Sequence, residues 1–335
     1  MKNIYIRLIQ SIQVLKKPVL ATVTYTTGST PQKPGSLALF SDGKIISGTV
    51  GGGIVENRVQ TFASQCSHTG ESMYVSFSLD NDIDRKDEAI CGGSISILLD
   101  ANPLEHLSVF EKMELDLASG TPGVLVTVVT TLKDTHVGIR RHWITAALVQ
   151  GKTPVKDEAK SNLVFHEPLF PLPRLVIAGA GHIGKALSHL GKMLDFEVSV
   201  ADSRSEYANA LNLPDADHTI AGDIGKIMED IKKDRDTYIV IMTHGHAGDA
   251  DALRPCIGSG AAYIGMIGSK GKIAKMREEF ISKKWATNEE WQRIYSPVGI
   301  DIGSKTVEEI AVSIAAQLVL VRSRRSDPPA GGLKI

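Results

Sequence analysis

The apolar positions along the chain fall into two regimes. Up to about residue 150, short β-rich runs alternate with turns: "PVLATVTYTT", "GSLALFS", "KIISGTV", "SMYVSFSL", "SISILLD", "GVLVTVVTTL" and "WITAALVQ". Helical spacing interrupts that rhythm. At the start, Ile4, Leu8, Ile12 and Leu15 share a face broken by Arg7 and Gln10, which predicts an amphipathic helix rather than the continuous apolar core of a signal peptide. In "IVENRVQTFASQC", Val55, Val59, Phe62 and Cys66 share a face. Together these patterns predict a β-rich α+β domain over 1–165.

Around "HEPLFPLPR" closely spaced prolines remove backbone donors and favour extended chain, so a linker is expected over 166–173. Beyond it the period changes. Apolar strands "LVIAG", "EVSVAD", "TYIVIMTH" and "AAYIGMIG" alternate with helical stretches, predicting an α/β domain over 174–325, a doubly wound parallel sheet covered on both faces. The segment "TVEEIAVSIAAQLVLV" predicts a helix whose apolar face either completes that core or joins two copies as a homodimer. The end of "RSRRSDPPAGGLKI", rich in charge, Pro and Gly, is expected to be a flexible tail over 326–335.

Composition narrows the choice of partners. A chain of 335 residues is long enough for two domains, each with its own core. A formal charge of -1 offers no field for nucleic acid, and no apolar run approaches the roughly 20 residues of a membrane span. Cys66, Cys91 and Cys256 are too few and too scattered for a disulfide framework or a paired zinc motif, which fits a reducing compartment. The expectation is a cytoplasmic protein whose partners are small molecules or other proteins.

In "IAGAGHIGKAL", Gly179, Gly181 and Gly184 follow an apolar strand and open an amphipathic helix, with His182 among the residues expected to bind the cofactor. The first glycine permits the tight turn, the second lets backbone approach a pyrophosphate, and the third allows close helix packing. The helix start offers N–H groups to an anion. Asp202, at the end of the next strand, is placed to accept bonds from ribose hydroxyls, and Arg204 to meet a 2′-phosphate, so NAD and NADP both stay open. The loop "THGHAGDADAL" carries His244, His246, Asp249 and Asp251. These residue types suit a metal, but with no further ligand recognisable the simpler reading is that His244 contacts ligand or backbone while the aspartates cap and charge the next helix; no metal is expected. In "YIGMIGSKGKIAKM", Gly265, Gly268 and Ser269 precede a helix with Lys270 and Lys272, either a phosphate site or a solvated first turn. Upstream, Gly51, Gly52 and Gly53 expose consecutive amides that form either an anion nest or a plain tight turn, with Glu56 close by. Cys91 stands before two glycines and a strand, where its sulfur is reachable; a structural role is the alternative.

These motifs in this order resemble the XdhC/CoxI family, accessory proteins of molybdenum-containing hydroxylases such as xanthine dehydrogenase. In the N-terminal half the resemblance rests on "LATVTYTTGSTPQKPG", "GTVGGGIVE" and "CGG" at Cys91. In the C-terminal half it rests on "RLVIAGAGHIGKAL", "VSVADSR", "YIVIMTHGHAGDADAL", "YIGMIGSK" and "SPVGIDIGSKTVEEIAVSIAAQLV". It implies a cofactor-insertion chaperone that binds molybdopterin or the complete molybdenum cofactor in purine catabolism, guards it and delivers it to an apo-hydroxylase, with a cysteine desulfurase as a further partner. Cys91 matches a family cysteine tied to cofactor binding or sulfuration. Some members carry a second cysteine after the upstream glycines, where this chain has Ile54, so a mechanism with two such thiols does not carry over. The cofactor that the resemblance implies has a phosphate end, which glycine loops and helix starts suit, and a soft dithiolene end, which a thiolate at Cys91 suits, and the expectation is that it lies in a cleft between the halves. The competing class is an NAD(P)-dependent oxidoreductase with His244 as general acid; a third is a metal hydrolase built on His244 and His246.

Overall fold

The structure, a computed structural model, describes residues 4–10, 14, 16–78, 93–145, 155–157 and 162–326. The chain divides after Pro171 into two units.

In the first unit the elements run α1 (Ile4–Gln10), β1 (Val19–Gly28), β2 (Leu37–Ser41), β3 (Lys44–Gly48), α2 (Gly53–Thr69), β4 (Met73–Ser78), β5 (Gly93–Asp100), α3 (Leu107–Ala118), β6 (Gly123–Lys133), β7 (His136–Thr145), β8 (Val155–Asp157) and β9 (Asn162–Leu169). The strands form one antiparallel sheet in the order β3-β2-β1-β5-β4-β7-β6-β9-β8. Alternate residues of β1 feed two cores, because successive side chains on a strand point to opposite faces. Val19, Ala21 and Val23 pack with Val55, Val59, Ala63 and Cys66 of α2. Leu20 packs with Leu8 of α1 and Phe110, Met113 and Leu117 of α3. Burial on both faces of its first six residues explains why β1 shows no strict apolar–polar alternation there.

Three expectations change in detail. On α2 the fully buried stripe includes Ala63, while Phe62 is only partly buried. Ile12 and Leu15 lie outside the described residues, as does the end of "WITAALVQ"; β7 ends at Thr145 and begins earlier, at His136. The stretch expected as a linker over 166–173 divides: 166–169 complete β9, with Pro168 opposite Val124 of β6. Among the described residues β8 pairs only with Asn162 to Val164, so Pro168 lies beyond that pairing, at a sheet-edge position where a proline is tolerated.

The second unit contains β10 (Arg174–Ala178), α4 (His182–Met193), β11 (Glu197–Asp202), β12 (His218–Ala221), α5 (Ile224–Asp230), β13 (Thr237–Ile241), α6 (His246–Leu253), β14 (Tyr263–Met266), α7 (Lys270–Ser282), α8 (Asn288–Gln292) and α9 (Val307–Ser326). Its sheet is parallel in the order β12-β11-β10-β13-β14. Leu175 and Ile177 face a core shared with α4 and α9, whereas Val176 and Ala178 face one built from α5, α6 and α7. Helices on both faces make this a doubly wound, Rossmann-like domain after a β-rich α+β unit, the fold class read from the sequence. The short, half-exposed β12 carries too little apolar signal to be read that way. On α9, Ala311, Ile314, Ala315, Leu318 and Val321 enter the core. Among the described residues, no helix is long and apolar enough to cross a membrane.

Candidate functional site

In a doubly wound sheet the ligand crevice lies at the carboxyl ends of the strands, where the strand order reverses. Here that point falls between β10 and β13. The chain leaves β10 through Gly179 at φ 127, a backbone conformation that favours glycine; a Cβ there would also collide with the Met242 carbonyl oxygen. Gly181 caps α4 at φ -71, and among the described residues a Cβ there meets no atom within 4 Å. Gly184 is buried, and its missing Cβ lets α4 pass against the Gly179 carbonyl. The first α4 hydrogen bond runs from Lys185 N–H to Gly181 O at 2.9 Å, so the amides of His182, Ile183 and Gly184 precede the intrahelical ladder. His182 is exposed. The three glycines thus have three separate duties, and the direction left open is the one at Gly181.

Asp202 closes this turn from the next strand. Its Oδ2 accepts from Ala180 N–H at 2.8 Å and from the Arg204 guanidinium at 2.9 Å; its Oδ1 accepts from Arg204 N–H at 3.0 Å and Nε at 2.9 Å. Burial opposes ionisation of Asp202, but the hydrogen bonds from Arg204 and Ala180 outweigh it and hold the carboxyl below its usual range. The Arg204 guanidinium lies 3.9 Å from the centroid of the Tyr207 ring. The structure therefore joins the two residues expected to read ribose and 2′-phosphate into one ion pair.

The loops after β13 and β14 are tied together by Asp249. This residue lies in the first turn of α6, yet it is fully buried and points away from a capping role. Its Oδ1 accepts from Thr243 N–H at 2.9 Å and Oγ1 at 2.6 Å, and its Oδ2 pairs with Lys272 Nζ. Lys272 is thereby committed within the protein. Ser269 caps α7 by accepting from Lys272 N–H, Gly268 precedes it, and Lys270 is exposed at the first helical position. His244 is exposed, His246 bonds Glu279 at 3.0 Å, and Asp251 is exposed. Among the described residues no group of three or more His, Cys, Asp and Glu side chains is placed to hold a metal ion.

In the first unit, Gly51, Gly52 and Gly53 adopt φ 145, 67 and 55. Gly51 N–H donates to Thr49 Oγ1 at 3.2 Å, and that hydroxyl donates to Glu56 Oε2 at 2.6 Å, so one of the three amides is spent internally and Glu56 is tethered. Gly52 and Gly53 have open Cβ directions among the described residues. A Cβ at Gly51 would lie 3.0 Å from the Pro31 side chain, and one at Gly93 would strike Thr27 O and Ser29 O. The "TGSTP" turn thus brings the glycine loop and the start of β5 together, with Gly28 opposite Gly93. Cys91 lies outside the described residues. Ile54 is partly buried in the first turn of α2. Cys66 and Cys256 are buried, and burial pushes each thiol up to about 12.

The sequence does not announce a second polar cluster. Arg141 pairs with Asp100 and approaches His106, while Tyr5 O–H donates to Glu167 Oε2 at 2.6 Å. Burial lifts Glu167 to about 7 against the pull of the Tyr5 bond and the Arg141 charge. An alternating strand with one charged inward position, as in "HVGIRRHWIT" and "NLVFHEPL", is the only local hint of it.

A parallel sheet with a glycine turn at its switch point, preceded by an antiparallel unit, defines a Rossmann-type protein with a large appended domain. The model of the XdhC Rossmann domain matches residues 175–318, and that of the XdhC and CoxI family matches residues 16–78. The chain belongs to the XdhC/CoxI family. It is 26% identical to a Bacillus subtilis protein described as a probable subunit of xanthine dehydrogenase, over 97% of this chain and 99% of that one. A crystal structure described as a xanthine dehydrogenase from Bacillus halodurans superposes with a TM-score of 0.79 at 26% identity, covering 96% of each chain. The protein YqeB of Escherichia coli is 30% identical over 45% of this chain and 28% of its own length.

Proposed function

We propose that the protein binds molybdopterin, the phosphate-bearing pterin of the molybdenum cofactor, and delivers it to an apo-hydroxylase of the xanthine dehydrogenase kind. What supports the reading, within this family, is the open Cβ direction at Gly181 beside the first-turn amides of α4. An anion fits such a cradle, because the amides point outward and the helix dipole favours negative charge. Those amides would hold the phosphate end, with Ser269 and Lys270 at the start of α7 as the second basic helix terminus. Gly52 and Gly53 offer a further open turn in the first unit, and Cys91, outside the described residues, has the soft donor chemistry that a sulfur or metal end would take. When bound, the cofactor supplies dithiolene-held molybdenum for a client enzyme; this chain's residues bind and shield it, and a cysteine desulfurase provides sulfur. The test is to purify the protein from a molybdenum-replete host and measure released pterin by mass spectrometry, then activity restored to an apo-hydroxylase. The expected result is bound pterin that falls at least about tenfold, a cost of about 1.4 kcal/mol, in a folded Gly181→Val variant. Absence of pterin from the parent, or steady hydride turnover with NADH, would overturn the reading.

A further inference from the structure

We infer that Arg204 seals the ribose subsite of the Rossmann crevice, so that this domain rejects adenine dinucleotides although it carries their glycine turn. In a dinucleotide-binding βαβ unit, the carboxylate ending the second strand receives the hydroxyls of the adenosine ribose. Asp202 holds that position on β11, and its Oδ2 bond to Ala180 N–H fixes it against the turn. An ionised carboxylate has about four acceptor positions. All four are taken, by Ala180 N–H, Arg204 N–H, Arg204 Nε and the terminal guanidinium nitrogen.

A ribose diol would have to displace a bidentate guanidinium before making its own bonds. Both partners of the Arg204 bonds are ionised and the pair is bidentate, whereas a hydroxyl brings no charge of its own, so the exchange forfeits an ion pair and is unfavourable. It would also forfeit the stacking of Arg204 on Tyr207. The NADP mode fares no better. If Arg204 turned to a 2′-phosphate, it would leave Asp202, only 5% exposed, as an unpaired charge beside that phosphate. The sequence Asp-x-Arg followed by Tyr207 therefore makes an internal occupant for the subsite. Arg204 acts as a specificity-determining residue, and ligands that enter the crevice must engage the glycine turn without presenting a ribose diol to β11.

Arg204 occupies the subsite whichever ligand the crevice does take, so failure of pterin capture would leave its role standing. Titration of the full-length protein with NADH, followed by enhancement of nicotinamide fluorescence and by calorimetry, tests it. The parent is expected to show no saturation below the millimolar range. Arg204→Ala, which retains the Ala180 and backbone bonds to Asp202, is expected to bind NADH at least about tenfold more tightly than the parent. NADPH should gain less, because the freed carboxylate repels a 2′-phosphate. Adding Asp202→Asn to Arg204→Ala should abolish the gain in NADH binding. Saturation of the parent at micromolar NADH overturns the inference without recourse to any variant, as does a folded Arg204→Ala protein that binds no more tightly than the parent.

Discussion

A methyl group added at Gly184 would press on the carbonyl oxygen of Gly179, whereas one added at Gly181 would enter open space. The two alanine variants should therefore separate stability from binding. Gly184→Ala is expected to lose about 1–3 kcal/mol in denaturant unfolding through overpacking, and Gly181→Ala only the cap preference of about 0.5–1 kcal/mol while still losing pterin. Glu167 offers a second test at this scale. Burial raises its pKa from 4.5 to about 7 in the folded protein, so the folded state holds the proton more tightly than the unfolded chain. Its contribution to stability is present below pH 4.5, declines as pH rises towards 7, and is flat above that. His106 works in the opposite sense, because burial and the Arg141 charge lower its pKa. The difference in thermal midpoint between the parent and Glu167→Gln isolates the carboxyl: it should move against the parent across that window and then level off. A midpoint difference independent of pH would refute the assignment. The glycines were legible in the sequence because their spacing is local. The Arg204–Asp202 pair was not, since two residues each suited to a ligand give no sign that they satisfy one another.

At the scale of elements, Asp249 links the end of β13, the start of α6 and the first turn of α7 through Thr243 and Lys272. Asp249 is buried while Lys272 is partly exposed, and Thr243 keeps its two bonds to the carboxylate, so removing the cation costs about 1–3 kcal/mol. Lys272→Met should lower stability by an amount of that order, while exposed Lys270→Met should change it by no more than about 0.5 kcal/mol, as equilibrium unfolding would show. In the sequence Asp249 reads as a helix-start charge and Lys272 as a phosphate neutraliser, because first-turn acids and basic helix starts have those roles on average. Only the packing of α7 against α6 commits the two to each other. Periodicity exposed most strands and both glycine-led helices. It missed the three-residue β8, β9, disguised by Pro168, and β12, whose residues are half exposed.

At the scale of the whole molecule, each unit closes its own sheet and holds its own cores. A fragment from Leu172 onward is therefore expected to fold alone, with cooperative unfolding monitored by circular dichroism; a non-cooperative melt would contradict this. The change from antiparallel to parallel architecture could be read directly, since hydrophobic period and crossover helices alter together near the prolines. The buried Tyr5–Glu167 and Arg141–Asp100 contacts could not, because they join residues far apart in the chain. The burial of Cys66 in one unit and Cys256 in the other has a practical outcome. With both thiols shielded and hard to ionise, alkylating reagents can reach them only as fast as the native packing opens. Any prompt modification of the intact protein by iodoacetamide therefore belongs to Cys91, and a kinetic trace counting fast and slow equivalents would report the reactivity of that sulfur without a single mutation.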